Sequence, residues 1–350
     1  MLDDSQLQSY ALAEVEKLLQ SHGKDMKKDY PMMPRTDVSF IHHAQNRLMY
    51  DEMKYNKNQL REEHRRLMST MTTEQKHVYN TIMDRVNANL PGVFFVYGYG
   101  GTGKTFIWRA LSSAIRSRGD IVLTVASSGI AALLIPGGRT AHSRFHIPFI
   151  VDECSTCTIE HKSHLAGLII HTKLIIWDEA PMMHRHCFEA LDRTLRDIMR
   201  HHNKGRLDIP FGGKVVVLGG DFRQVLPVVP KATRYDIINA SINSSAIWNF
   251  CEVLTLTTNM RLLHGAPAKE LIERKQFSDW VLGVGDGSIG ETADEHINLE
   301  IPDDLLIHIT GDPIAAIVDC IYPSLLSKMH DPSFFQDRAI LTTKNVTVEK

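Results

Sequence analysis

Gly98-Tyr99-Gly100-Gly101-Thr102-Gly103-Lys104-Thr105 is the stretch that decides the fold. It satisfies G-x-x-x-x-G-K-[ST] in full. It follows the apolar run Val93–Tyr97 and opens a helix expected over Thr105–Arg116. Strand, glycine-rich loop and helix in that order form a phosphate cradle. Glycines let backbone N–H groups close around phosphate oxygens where side chains would collide, and the helix N-terminus adds positive potential. Gly98, Gly100, Gly101, Thr102 and Gly103 are the expected lining. Lys104 is placed for the β- and γ-phosphates of ATP, and the Thr105 hydroxyl for Mg²⁺. A glycine-rich turn with a chance lysine is the bland alternative; it leaves the flanking strand and helix unexplained.

Outward from the loop, Val93–Tyr97, Ile121–Ala126, Leu174–Trp177, Val215–Leu218 and Val253–Leu256 are short continuous apolar runs. Continuous rather than alternating runs are expected of parallel strands covered on both faces. Each leads through Gly, Ser, Thr or Asp into a helical segment. The pattern predicts an open α/β sheet with ligands at the carboxyl ends of its strands. Upstream, Thr72 or Thr73 caps a helix through Val78, Ile82 and Val86 that ends before Pro91. Residues 1–68 are charged or irregular and read as a helical extension, with little apolar face over Asn46–Met68.

Two further strand ends carry chemistry. Leu174–Pro181 places Asp178 and Glu179 at the end of a buried strand. Asp178 suits the metal's water shell, and Glu179 suits deprotonation of an attacking water. The pair favours hydrolysis over phosphoryl transfer to a small acceptor, so a P-loop kinase is the weaker reading. Val215–Gln224 ends in GGDFRQ, with Gln224 placed to report the γ-phosphate and Asp221 equally suited to a helix cap.

These motifs in this order resemble superfamily 1 DNA helicases of the PIF (petite integration frequency) type, particularly the forms carried by plant Helitron transposons. The likeness rests on Thr73-Glu74-Gln75 before Tyr79, GYGGTGKT at 98–105, ASSGIAALLIPGGRTAHSRF at 126–145, WDEAPM at 177–182, GGDFRQVLPV at 219–228 and Thr258-Asn259-Met260-Arg261. The resemblance implies a RecA-like ATP-binding domain over 69–255, with the sheet covered by helices on both faces. It implies adenine reading by Gln75 and a γ-phosphate contact from Arg261. It also implies single-stranded DNA contacts at Ser127, Ser128, Thr140, His142 and Ser143; a helix cap and a turn are the bland alternatives there.

The implied activity is 5′-to-3′ unwinding coupled to ATP hydrolysis, in repair, recombination and telomere maintenance, in the nucleus. Residues 256–350 read as an incomplete second RecA-like domain with Ala339–Asn345 as its first strand and turn. The chain therefore reads as shortened at its C-terminus, and a nucleotide- or DNA-binding remnant that does not unwind is the competing reading.

Composition bounds the rest. With 39 Lys and Arg against 41 Asp and Glu, the net charge of −2 gives no basic coat, so any nucleic-acid contact is local. Arg193, Arg196 and Arg200 form one basic helical face opposite Leu191, Leu195 and Ile198. It is read as a solvated face or a nucleic-acid contact. No apolar run is long enough for a membrane span. Five cysteines without a secretory leader read as reduced thiols. Cys154, Cys157, His161 and His164 have metal-ligand residue types, but their spacing is tighter than a zinc finger's.

Overall fold

The computed structural model describes residues 24–34, 46–200, 208–262, 268–293, 296–309 and 311–342, with isolated positions between 8 and 19. The chain forms two compact units, residues 1–275 and 276–350.

The first unit is built on a parallel sheet. Helices α1 (Arg47–Met53), α2 (Lys57–Thr70) and α3 (Thr73–Ala88) precede β1 (Gly92–Tyr97) and α4 (Lys104–Ser117). Then come β2 (Ile121–Ala126), α5 (Gly129–Leu133), β3 (Arg139–Thr140), α6 (Ala141–Phe145) and α7 (His164–His171). The unit continues with β4 (Thr172–Asp178), α8 (Arg185–Met199), β5 (Val215–Gly220), α9 (Arg234–Ala240) and β6 (Cys251–Thr255). The six strands lie in the order β3-β2-β4-β5-β1-β6, and every pairing is parallel. The five apolar runs are the five long strands, with ends that differ by a residue or two. Only β3, two residues at the sheet edge, left no pattern to read.

Successive side chains point to opposite faces of a strand, and both faces are buried here. Phe95, Leu123, Trp177 and Leu218 belong to one core cluster. Their neighbours Phe94, Val122, Ile176 and Val217 belong to the other. This two-sided burial is why the strands read as continuous apolar runs.

Helix α3 begins as its sequence predicts. Thr72 Oγ1 accepts from the Gln75 N–H, and Gln75 Oε1 accepts from the Thr72 N–H, a reciprocal capping box. Helix α4 buries Ile107, Trp108, Leu111 and Ile115. Its fit to the sheet depends on Gly219 in β5. A Cβ there would stand 2.3 Å from Trp108 Cζ2 and 3.4 Å from Asp178 Oδ1. Trp108 is fully buried and has no room to turn aside. Gly219→Ala is therefore expected to cost about 1–3 kcal/mol through overpacking. Thermal unfolding checks this; an unchanged midpoint would mean that β5 and α4 part without cost.

The stretch Asn46–Met68, read as part of a helical extension with little apolar face, is partly built into the core. Helix α2 packs along α4 with Leu67 buried, and Arg109 Nη2 pairs with Glu63 Oε1 at 2.7 Å. Glu52 of α1 is buried as well. The apolar face was hard to see because Leu67 and Met68 stand among charged side chains such as Glu63, whose partner Arg109 lies 46 positions away.

Helix α10 (Ala268–Asp286) crosses the boundary between the units in sequence. The second unit contains an antiparallel pair, β7 (Glu291–Ala293) with β8 (His296–Asn298), and α11 (Pro313–Ile321). Phe334 is buried beside the rings of Tyr322 and Phe335, with the Arg338 guanidinium 4.6 Å from its ring centre. The expected strand at Ala339–Asn345 is not formed over 339–342, and 343–345 lie outside the described residues. A strand needs a neighbour to take its backbone hydrogen bonds, and none of the described residues pairs with this one.

Candidate active site

The sheet register brings the three motif-bearing strand ends together. Tyr97 of β1 stands opposite Gly220 of β5, and Trp177 of β4 stands opposite Leu218. The Gly98 N–H donates to the Gly220 carbonyl at 3.3 Å, so the glycine-rich loop leaves the sheet beside GGDFRQ. The loop turns at Gly101 (φ +93) and Gly103 (φ +91), conformations open to glycine but strained for other residues. A Cβ on Gly103 would stand 2.4 Å from Gln75 Nε2, whereas one on Gly100 would meet nothing within 4 Å.

Lys104 begins α4 and is buried, and its Nζ donates to the Gly98 carbonyl. In this conformation the ammonium folds back across the loop that it would serve. Asp178 ends β4 and is also buried. Burial pushes its carboxyl above the ordinary range, against the lowering pull of the Trp108 indole N–H and the Lys104 ammonium. Glu179 is raised too, first by burial and then by the negative charges of Asp178 and Asp221, with Lys104 opposing.

Glu179 also has a left-handed backbone (φ +52, ψ +40). For a residue with a Cβ this costs about 1–2 kcal/mol. The conformation turns the chain sharply off the strand into the short 3-10 helix Ala180–Met182. Such strain concentrates at functional sites, and sequence gave no sign of it.

The loop's outer side is built from two distant segments. Glu74 of α3 accepts from the Thr257 N–H and hydroxyl, both at 2.8 Å, and from the Thr258 N–H at 3.3 Å. Burial opposes its ionisation, but these bonds prevail and hold its carboxyl below the usual range. Gln75 Nε2 donates to the Thr102 carbonyl at 3.1 Å, while Tyr99 Oη donates to the Thr257 carbonyl at 2.5 Å. The Met260 N–H donates to the Gly101 carbonyl at 2.9 Å, and Arg261 Cδ lies 3.3 Å from where a Gly101 Cβ would stand. Arg261, exposed, is thereby brought to the glycine-rich loop. Sequence reading missed Glu74 as the tie between these segments, although it stood inside a motif already singled out.

Gln224 is exposed beside the site; its N–H donates to the Asp221 carbonyl. Asp221 closes this turn and caps no helix; the next helix begins at Arg234. Arg223 lies 5.5 Å from the Tyr97 ring centre and 5.9 Å from that of Tyr99.

Several of the hydroxyls expected at DNA have local work. Ser127 Oγ accepts from Trp177 Nε1 at 3.0 Å, Ser128 caps α5, and Thr140 caps α6 by accepting from the Ser143 N–H. His142 stacks on exposed Phe149 with ring centres 5.7 Å apart.

Among the described residues no group of three or more His, Cys, Asp or Glu is arranged to hold a metal ion. Cys157 is buried, its thiol pushed up to about 11, and His161 pairs with Asp197 at 2.7 Å. The basic face of α8 is tied down as well. Arg193 donates twice to the Ser155 carbonyl, and Arg196 pairs with Asp192 at 2.8 Å. No described helix is long and apolar enough to cross a membrane.

A family model described as PIF1-like helicase matches residues 70–295. The ATP-dependent DNA helicase PIF4 of Trypanosoma brucei brucei is 31% identical over 147 residues, 41% of this chain and 17% of the relative. The ATP-dependent DNA helicase RRM3 of Saccharomyces cerevisiae is 31% identical over 187 residues, 52% of this chain and 24% of the relative. The chain thus spans less than a quarter of the length of these curated relatives. A crystal structure of a Pif1 helicase from Bacteroides with ADP-AlF3 and ssDNA is 25% identical, with a TM-score of 0.49 over 62% of this chain and 47% of that one.

Proposed function

The chain belongs to the PIF1-like helicase family, and from that premise we infer that it binds Mg-ATP at residues 98–105 and hydrolyses it to drive movement on single-stranded DNA. One observation carries the reading: the Asp178 carboxylate is buried at the strand end beside the glycine-rich loop, within electrostatic reach of the Lys104 ammonium. A carboxylate this deeply buried is costly to ionise, and a bound cation would offset that cost.

The donor set suits a hard divalent cation, which takes oxygen ligands and keeps part of its water shell. Thr105 and Asp178 are the residues that would hold Mg²⁺, and bound there it would neutralise charge on the phosphates. Lys104 adds a second positive charge at the same oxygens, and the loop's N–H groups orient them. Glu179 accepts the proton of the attacking water. Gln224 and Arg261 serve the γ-phosphate end, where Arg261 stabilises charge on the transferring group. Gln75 reads adenine; its amide already bridges Thr72 and Thr102, so adenine binding exchanges one of those bonds.

Single-stranded DNA runs along the 126–145 segment, contacted by Ser127, Ser128, Thr140, His142 and Ser143. Movement is 5′-to-3′, the setting is DNA repair, recombination and telomere maintenance, and the location is the nucleus. The family match speaks against a small-acceptor kinase.

The test is ATP hydrolysis by the purified chain with and without an oligothymidylate. Stimulation by the oligonucleotide supports the reading. Nucleotide binding without stimulated hydrolysis would overturn it and leave a binding protein with no motor.

A further inference from the structure

Three segments distant in sequence meet at one buried ion-pair junction. Glu52 of α1 is 8% exposed, Arg116 3% and Arg144 5%. Glu52 Oε1 accepts from Arg144 Nη2 at 2.8 Å, and its Oε2 lies 3.6 Å from Arg116 Nη2, an ion pair beyond hydrogen-bond reach. Arg116 lies in the last turn of α4, the helix that opens at Lys104. Arg144 lies in α6, within the 126–145 segment.

Arg116 reaches that segment too: its Nη1 donates to the Pro136 carbonyl at 2.9 Å. Its guanidinium lies over the Tyr55 ring, 4.4 Å from the centre. Tyr55 then closes the junction from outside. A Cβ on Gly137 (φ +71) would stand 2.4 Å from Tyr55 Oη and 2.9 Å from Arg116 Nη2.

One carboxylate therefore holds two buried guanidinium groups that would otherwise repel each other. A buried ion pair adds little net stability, because desolvation offsets its attraction. Its effect is to fix one arrangement of the groups that it joins. The groups joined here are the far end of the phosphate-loop helix and the segment to which DNA contact is assigned above.

We propose that Glu52 is a positioning residue which, with Tyr55, fastens residues 136–145 to the C-terminal end of α4 and so couples single-stranded DNA to the nucleotide site. The coupling rests on the DNA assignment of the preceding section; the fastening does not.

Two measurements on the full chain test it. Glu52→Gln keeps the side-chain shape and removes the charge. Hydrogen exchange is expected to quicken at amides 139–145 and to stay unchanged in β5. The oligothymidylate concentration giving half-maximal ATPase stimulation is expected to rise about tenfold, with the DNA-free rate and the KM for ATP within about twofold. A merely structural role would not separate these quantities.

Unchanged exchange at 139–145 overturns the proposal, and so does faster exchange with an unchanged DNA requirement. If the unaltered chain neither binds nor responds to the oligonucleotide, the helicase reading fails, and exchange alone decides the fastening. Should Glu52→Gln not fold, Tyr55→Leu carries both readings with smaller shifts in the same direction, since it keeps the ion pair and removes the ring that lies over Arg116.

Discussion

Lys104→Ala is expected to lower ATP hydrolysis about 10³-fold, the scale seen when one preorganised charge is removed from a transition state. The lysine is positioned by the first turn of α4 and is buried in the loop's mouth, where Coulomb forces are weakly screened. Its Nζ bonds to the Gly98 carbonyl, an arrangement ready to exchange for a phosphate oxygen. Lys104 also pulls the Asp178 and Glu179 carboxyls down against the burial that raises them. Its loss therefore removes a charge from the phosphates and lets both carboxyls drift further from ionisation. The fold should persist, because the Gly98 carbonyl is the ammonium's one hydrogen-bond partner among the described residues. Steady-state hydrolysis, with circular dichroism as the folding control, checks the result. A rate near that of the unaltered chain would move the chemistry away from this loop.

What sequence revealed here was local or periodic. The phosphate loop is eight contiguous residues, and its glycines, lysine and threonine are each required by the same contact. The strands could be read because burial on both faces leaves a continuous apolar run. Thr72 and Gln75 announce their capping box by spacing alone. The remainder depended on partners that no window spans. Glu74 meets Thr257 across 183 positions, and Glu52 meets Arg144 across 92. Nothing near Glu52 in sequence distinguishes it from a solvated acid. The hydroxyls of Ser128 and Thr140 invited a ligand, yet each caps a short helix in this structure. The same Ser or Thr serves either purpose, and only the backbone around it decides. The expected strand at 339–345 followed from resemblance, and its formation depends on a neighbouring strand that the described residues do not provide.

Glu179→Gln is expected to abolish turnover while leaving nucleotide binding nearly intact, a loss on the order of 10³ in kcat from removing a positioned general base. Glu179 can be separated from its neighbours because its backbone, not its side chain, shapes the turn after β4. The left-handed conformation is accompanied by a Met182 N–H bond to its carbonyl, and a glutamine can keep both. The pH dependence gives a second handle. Burial and the charges of Asp178 and Asp221 hold the Glu179 carboxyl above the ordinary glutamate range. A general base works only when ionised, so hydrolysis should fall as pH drops through this raised value, before an ordinary surface glutamate would protonate. The linkage to stability has the opposite sign. A carboxyl that protonates more readily in the folded state stabilises the fold below its unfolded pKa, and that contribution is lost as pH rises through the folded one. Mild acid should therefore suppress turnover while it relieves the burial of charge at Glu179 and Asp178. In Glu179→Gln the part of the stability profile due to this residue should vanish. A kcat profile that falls only in the ordinary glutamate range, or a glutamine variant that still turns over, would assign the proton to another group.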